Sequence, residues 1–111
     1  MKKVNIVDAG HTYDLHNFQE KGSDSDVGVQ TLHFIKKEPV EEGSTEMKTV
    51  HEGTTNEAVI EMLIDRLRFL DEKMPSEYNQ KAISDLESAW EALNQRTAER
   101  VERDVEGKHE A

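Results

Sequence analysis

The sequence has no cysteine, which removes disulfide staples and thiolate metal ligands and suits a reducing compartment. Proline occurs twice, tryptophan once, and aromatic residues make up only 5%. No apolar run exceeds a few residues, so no segment is expected to span a bilayer. The N-terminal stretch MKKVNIVDAGH brings two lysines without the apolar centre of a signal peptide. Positive charge is scarce too: 14 Lys and Arg stand against 24 Asp and Glu, a formal net charge of −10. Nucleic-acid backbone calls for a basic surface, so neither a nucleic-acid polymer nor a membrane is the expected partner. These absences together describe a soluble, intracellular protein.

Catalytic apparatus is missing as well. The five histidines (His11, His16, His33, His51 and His109) are scattered, with no HExxH and no tight carboxylate–histidine spacing. There is no glycine-rich phosphate loop and no nucleophile elbow. The expectation is a protein that is not an enzyme, with no metal site and no cofactor.

What is present divides at mid-chain, and 111 residues suffice for one small domain or two small pieces. Residues 1–10 read as an N-terminal tail and 11–53 as a small β region. HTYDLHNF (11–18) alternates Tyr13 and Leu15 against polar neighbours, VGVQTLHFIKK (27–37) is rich in β-branched and aromatic residues, and EMKTVHEG offers a third short strand. KEPVEEGST (37–45), with Pro39 and Gly43, reads as a loop. From residue 54 the period becomes helical. Thr54 stands three residues before Glu57 at capping-box spacing, and Val59, Ile60, Leu63, Ile64, Leu67 and Leu70 follow at helical intervals. Pro75 breaks that helix. A second stripe runs through Ala82, Ile83, Leu86, Ala89, Trp90, Leu93 and Val101. Two helices joined by so short a turn must lie antiparallel. The fold expected is therefore α+β: a small N-terminal antiparallel β-sheet, then a C-terminal antiparallel helical hairpin over 54–105, with 106–111 as a C-terminal tail. So small a core favours association with further copies.

Within the hairpin several residues invite a second reading. Trp90 falls on the apolar stripe and reads as a core anchor. Phe69 falls on its flank, where a ring is either a spare core residue or a platform for a stacked base. Asn79, early in the second helix and roughly level with Phe69 across the turn, has an amide that suits an adenine edge. Near the C-terminus NQRTAERVERDVEGKH places Arg96, Arg100 and Arg103 within eight residues. Interleaved with Glu99, Glu102 and Asp104, they read as surface ion pairs of little worth. Alternatively, Arg96 and Arg100, four apart on one helix face, present paired guanidinium groups to a phosphate or pyrophosphate.

GTTNEAVIEMLIDRL, YNQKAISDLESAW and NQRTAERVERDVEGKH, in that order, resemble the helical hairpin of phage anti-CBASS and anti-Thoeris sponge proteins. The first half, through YDLHNF and TLHFIKKEP, is more similar to the Thoeris anti-defence branch. The likeness spans about residues 11–109, and its most specific part is the R-T-x-x-R-x-x-R-x-V-E-G pattern from Arg96 to Gly107. It implies a phage protein, acting in the cytoplasm of the infected bacterial host, that sequesters a cyclic nucleotide immune signal without cleaving it. For Thoeris that signal is a cyclised ADP-ribose isomer. The resemblance also implies adenine contacts at Phe69 and Asn79 and phosphate contacts at Arg96 and Arg100, with Arg103 completing the arginine series. Self-association as a homodimer, and a hexamer beyond it, is implied too. Two alternatives stand beside this: a sponge for the cyclic di- or trinucleotides of CBASS, or a structural hairpin that only docks a partner. The chain departs from the pattern at Glu77, where relatives have arginine near a second, cyclic di- or trinucleotide site, and the reversed charge counts against that activity. It departs again at Asp104, usually glycine, and at Lys108, usually threonine.

One inference needs no resemblance. Asn79 and Arg96 lie seventeen residues apart on one helix, or ~25 Å at the standard rise. If both grip one compact ligand, they must come from different copies of the chain.

Overall fold

A computed structural model describes residues 3–23 and 26–110, with side chains through Glu102. Five strands precede two helices: β1 (Val4–Asp8), β2 (Thr12–His16), β3 (Val29–His33), β4 (Lys36–Pro39), β5 (Met47–His51), α1 (Asn56–Lys73) and α2 (Glu77–Glu110). The expected α+β order holds, with antiparallel β structure first and two helices after it. The chain forms two compact units that divide after Thr55.

The β unit holds two sheets, not one. β1, β2 and β3 form a three-stranded antiparallel sheet with β2 in the centre, and β4 pairs with β5. β1 lies where the sequence suggested only a tail. Its Val4 and Ile6 pair with Leu15 and Tyr13, which in turn pair with Gln30 and Leu32. Paired residues share a face, so one side of this sheet is largely apolar. The other side is polar: Thr31 donates to Asp14 (2.7 Å), and Asn5 hydrogen-bonds His16 (2.9 Å).

The run Val27–Lys37, expected as one strand, is split at Phe34 and Ile35. Phe34 N–H donates to His11 and Ile35 N–H donates to Thr54, so the backbone changes partners there. The Phe34 ring meets Tyr13 edge-on, with centroids 5.9 Å apart. Beyond this split the chain forms β4 in place of the expected loop. Pro39 ends it opposite Met47, a place where a residue without an N–H costs no ladder bond on the outer edge. Gly53 passes so close to the β3 end that a Cβ there would lie 2.5 Å from the His33 carbonyl oxygen.

Thr54 does not cap α1. Its N–H donates to His33 and its carbonyl accepts from Ile35, so the β bridge uses both groups and the helix begins two residues later. The turn between the helices is held by side chains. Ser76 Oγ accepts from the N–H groups of Tyr78 (3.2 Å) and Asn79 (3.4 Å), the usual cap of a helix start. Asp71 accepts from the Ser76 N–H at 2.8 Å and from the Gln80 amide at 3.5 Å. α2 runs on to Glu110, through the residues expected as a tail. Gly107 is a single weak position that a long helix tolerates.

Between the helices Arg68 meets Glu87 at 3.3 Å and Arg96 meets Glu57 at 4.0 Å. These contacts fix an antiparallel register. Ile64, 8% exposed, is the only buried residue among those described. Trp90, expected as a core anchor, is only half-buried and lines a shallow groove with Ile64, Arg68 and Glu87.

Candidate functional site

The candidate residues fall into two groups at opposite ends of the hairpin. Near the turn, Phe69 is 54% exposed, so it is not a core residue. Lys73, one turn further along α1, places its ammonium 4.7 Å from the ring centroid. Asn79 is half-buried in the first turn of α2, where the Ser76 cap anchors its backbone. Its side-chain amide hydrogen-bonds no described residue and remains available to accept and donate.

The register corrects one expectation. With Arg68 facing Glu87 and Glu57 facing Arg96, Phe69 lies opposite the neighbourhood of Asp85. Asn79 is therefore about six residues, or ~9 Å, nearer the turn than Phe69 and not level with it. The two still share one end of the hairpin.

At the other end Arg96 and Arg100 are exposed on successive turns of α2. Among the described residues, the interleaved acids do not claim them. Glu99 accepts from Gln95 at 3.4 Å, and the carboxylate near Arg96 is Glu57, from the first turn of α1. Arg100 makes no ion pair with a described residue. Two guanidinium groups one turn apart can together hold a phosphate or pyrophosphate. The side chains of Arg103, Asp104 and Lys108 lie outside the described residues.

α2 is continuous from Glu77 to Glu110, so Asn79 and Arg96 are held ~25 Å apart along one axis. No single hairpin brings the aromatic–amide end to the arginine end. Glu57 was read from the sequence only as part of a helix start, and Lys73 was not singled out at all. Lys73 stands four residues after Phe69, a spacing at which cation–ring pairs form on helices; Glu57 is visible only once the helices are in register.

In the β unit, His11, His33 and His51, far apart in sequence, converge with Asp8, Glu52 and Phe34 on one cavity of ≈ 280 Å³. Lys36 reaches Asp8 at 3.4 Å, and Thr12 hydrogen-bonds His33 at 3.3 Å. Among the described residues no three potential donors are placed to hold a metal ion, and no helix is long and apolar enough to cross a membrane.

No protein-family model matches the sequence. A curated relative does: Thoeris anti-defense 1 of Bacillus phage SBSphiJ7 is 34% identical over 112 aligned residues, covering 86% of this chain and 79% of the relative. Identity at that level across most of both chains identifies common descent and a common fold, and the chain belongs to the Thoeris anti-defense 1 family of phage proteins.

Proposed function

We propose that the protein is a non-catalytic sponge that binds a cyclised ADP-ribose isomer, the signal of the Thoeris system, in the cytoplasm of the infected host. The observation that carries this reading is the phage relative named for defeating Thoeris defence. The hairpin supplies matching chemistry. Phe69 stacks the base, the Asn79 amide reads its edge, and Arg96 and Arg100 neutralise the pyrophosphate. Local arginine density is what lets an acidic protein hold a dianion. No candidate residue attacks the ligand or activates water, so the ligand is expected to leave unchanged.

A second copy of the chain completes the pocket. The ~25 Å between Asn79 and Arg96 exceeds the reach of a compact cyclic ligand, whereas two hairpins packed antiparallel bring the turn of one beside the arginines of the other. Exposure supports the same arrangement. Met62 and Val101 are both 58% exposed and Leu63 is 38% exposed, and a hairpin with one buried residue among those described has little core of its own. The homodimer is the unit of binding. Glu77, exposed at the start of α2, is the wrong charge for a further cyclic di- or trinucleotide site.

Calorimetric titration with the cyclised ADP-ribose released by a Thoeris sensor tests the reading, followed by heat denaturation and mass spectrometry of what is released. Tight binding by the wild type, its loss in Arg100→Ala and recovery of intact ligand are expected. A cleaved product would make the protein an enzyme. A response to cyclic di- or trinucleotides alone would reassign the ligand, and no response to any nucleotide would leave a structural hairpin.

A further inference from the structure

Phe69 is half-open to solvent, yet one face of its ring is already occupied. Lys73 Nζ stands 4.7 Å from the centroid, within the range where an ammonium is attracted by the ring quadrupole. In a chain with 24 carboxylates, that placement is not the obvious one. Lys36 pairs with Asp8, and Lys81 pairs with Asp85 at 2.6 Å. Lys73 makes no ion pair with any described residue. It belongs to the last turn of α1, where the carbonyl end of the helix favours a cation. The register also sets Lys73 between the levels of Phe69 and Asn79 along the hairpin, inside the ~9 Å that separates the two.

We propose that Lys73 is a positioning residue of the base-binding half-site, an inference that rests on the nucleotide-binding reading above. The ammonium covers one face of Phe69 and leaves the opposite face for the base. It also draws the ring's electron density toward itself, which makes the open face more complementary to an electron-rich purine. The half-site then consists of a cation, a ring and a purine in layers, with Asn79 toward the turn.

Calorimetry with the sensor-derived cyclised ADP-ribose tests this on the full chain. Lys73→Met keeps the aliphatic stem and removes the charge, and is expected to raise Kd on the order of fivefold. Lys73→Arg restores wild-type binding, whereas Lys81→Met, which removes a cation from α2, leaves Kd unchanged. In a Phe69→Leu background, adding Lys73→Met has no further effect, because the two act as a unit. In the free protein, the Lys73 ε-methylene protons are expected upfield in wild type and at ordinary positions in Phe69→Leu. Equal Kd for wild type and Lys73→Met, failure of Lys73→Arg to rescue, additivity with Phe69→Leu, or no upfield shift would each overturn the proposal. If Phe69→Leu weakens binding and Lys73→Met does not, only this inference fails. If the wild type binds no nucleotide, the reading on which it rests fails as well.

Discussion

Mixing two defective proteins should create working sites. Phe69→Ala removes a stacking platform, at a cost of about 1–3 kcal/mol. If Arg100 holds a phosphate as proposed, Arg100→Ala removes a charge-assisted contact worth about 2–5 kcal/mol, or roughly 30- to several-thousand-fold in affinity. In the register set by Arg68–Glu87 and Glu57–Arg96, Phe69 lies near the level of Asp85, about fifteen residues or ~22 Å from Arg100 along the axis. A ligand folded back on itself by cyclisation is shorter than that, so on the proposed reading each pocket would take Phe69 from one copy and Arg100 from the other. Both mutant homodimers then have two damaged pockets. After subunit exchange at equal concentration, half the dimers are mixed, and each mixed dimer has one doubly damaged pocket and one intact pocket. About a quarter of all pockets regain wild-type affinity. Titration with the cyclised ADP-ribose counts them directly, and native mass spectrometry reports the mixed dimers. Mixed dimers without any high-affinity fraction would refute the cross-subunit pocket, because a pocket within one chain keeps one defect whatever its partner.

Packing and charge set three further outcomes. Ile64→Ala should destabilise the helical unit by about 2–5 kcal/mol, as it empties the one buried position among the described residues; urea melts followed by helical circular dichroism would show it, and an unchanged midpoint would mean the hairpin is held together elsewhere. Gly53→Ala forces a Cβ to within 2.5 Å of the His33 carbonyl oxygen, so the β unit should lose about 1–3 kcal/mol, read from faster amide exchange in β3 and β5. Arg96→Ala should shift stability by under ~1 kcal/mol, since its 4.0 Å contact to Glu57 is loose and partly solvated, while binding falls sharply. A large loss of stability instead would make Arg96 a structural residue.

The helices were legible in the sequence because their stripes repeat over many turns, and Pro75 marks the break without ambiguity. The β unit was less so. β1 has only Val4 and Ile6 on its apolar side, too few to display a period, and β4 carries a proline that reads as loop. The split after His33 depends on Phe34 and Ile35 donating to different partners, a long-range choice that local pattern does not encode. Spacing put Arg96 and Arg100 on one helix face, but by itself it read equally as surface ion pairs, and the phosphate reading came from the family resemblance. Glu57 became visible as the neighbour of Arg96 only through the helix register, and the offset between Phe69 and Asn79 required that register as well. His11, His33 and His51 looked unrelated because forty residues of chain separate the first from the last.

α2 is an unbroken rod from Glu77 to Glu110, and that stiffness has a kinetic meaning. A flexible joint between Asn79 and Arg96 would let one chain fold both ends onto a ligand. A rigid rod forbids this, so if the pocket is shared as proposed, the number of complete pockets would rise with the square of protein concentration until dimers saturate. Early in infection, when few copies exist, the protein would capture little signal; past the dimer dissociation constant, capture would switch on steeply. On the same reading the signal would bind only the assembled form and so pull monomers together, and a burst of alarm from the host would recruit the protein that silences it.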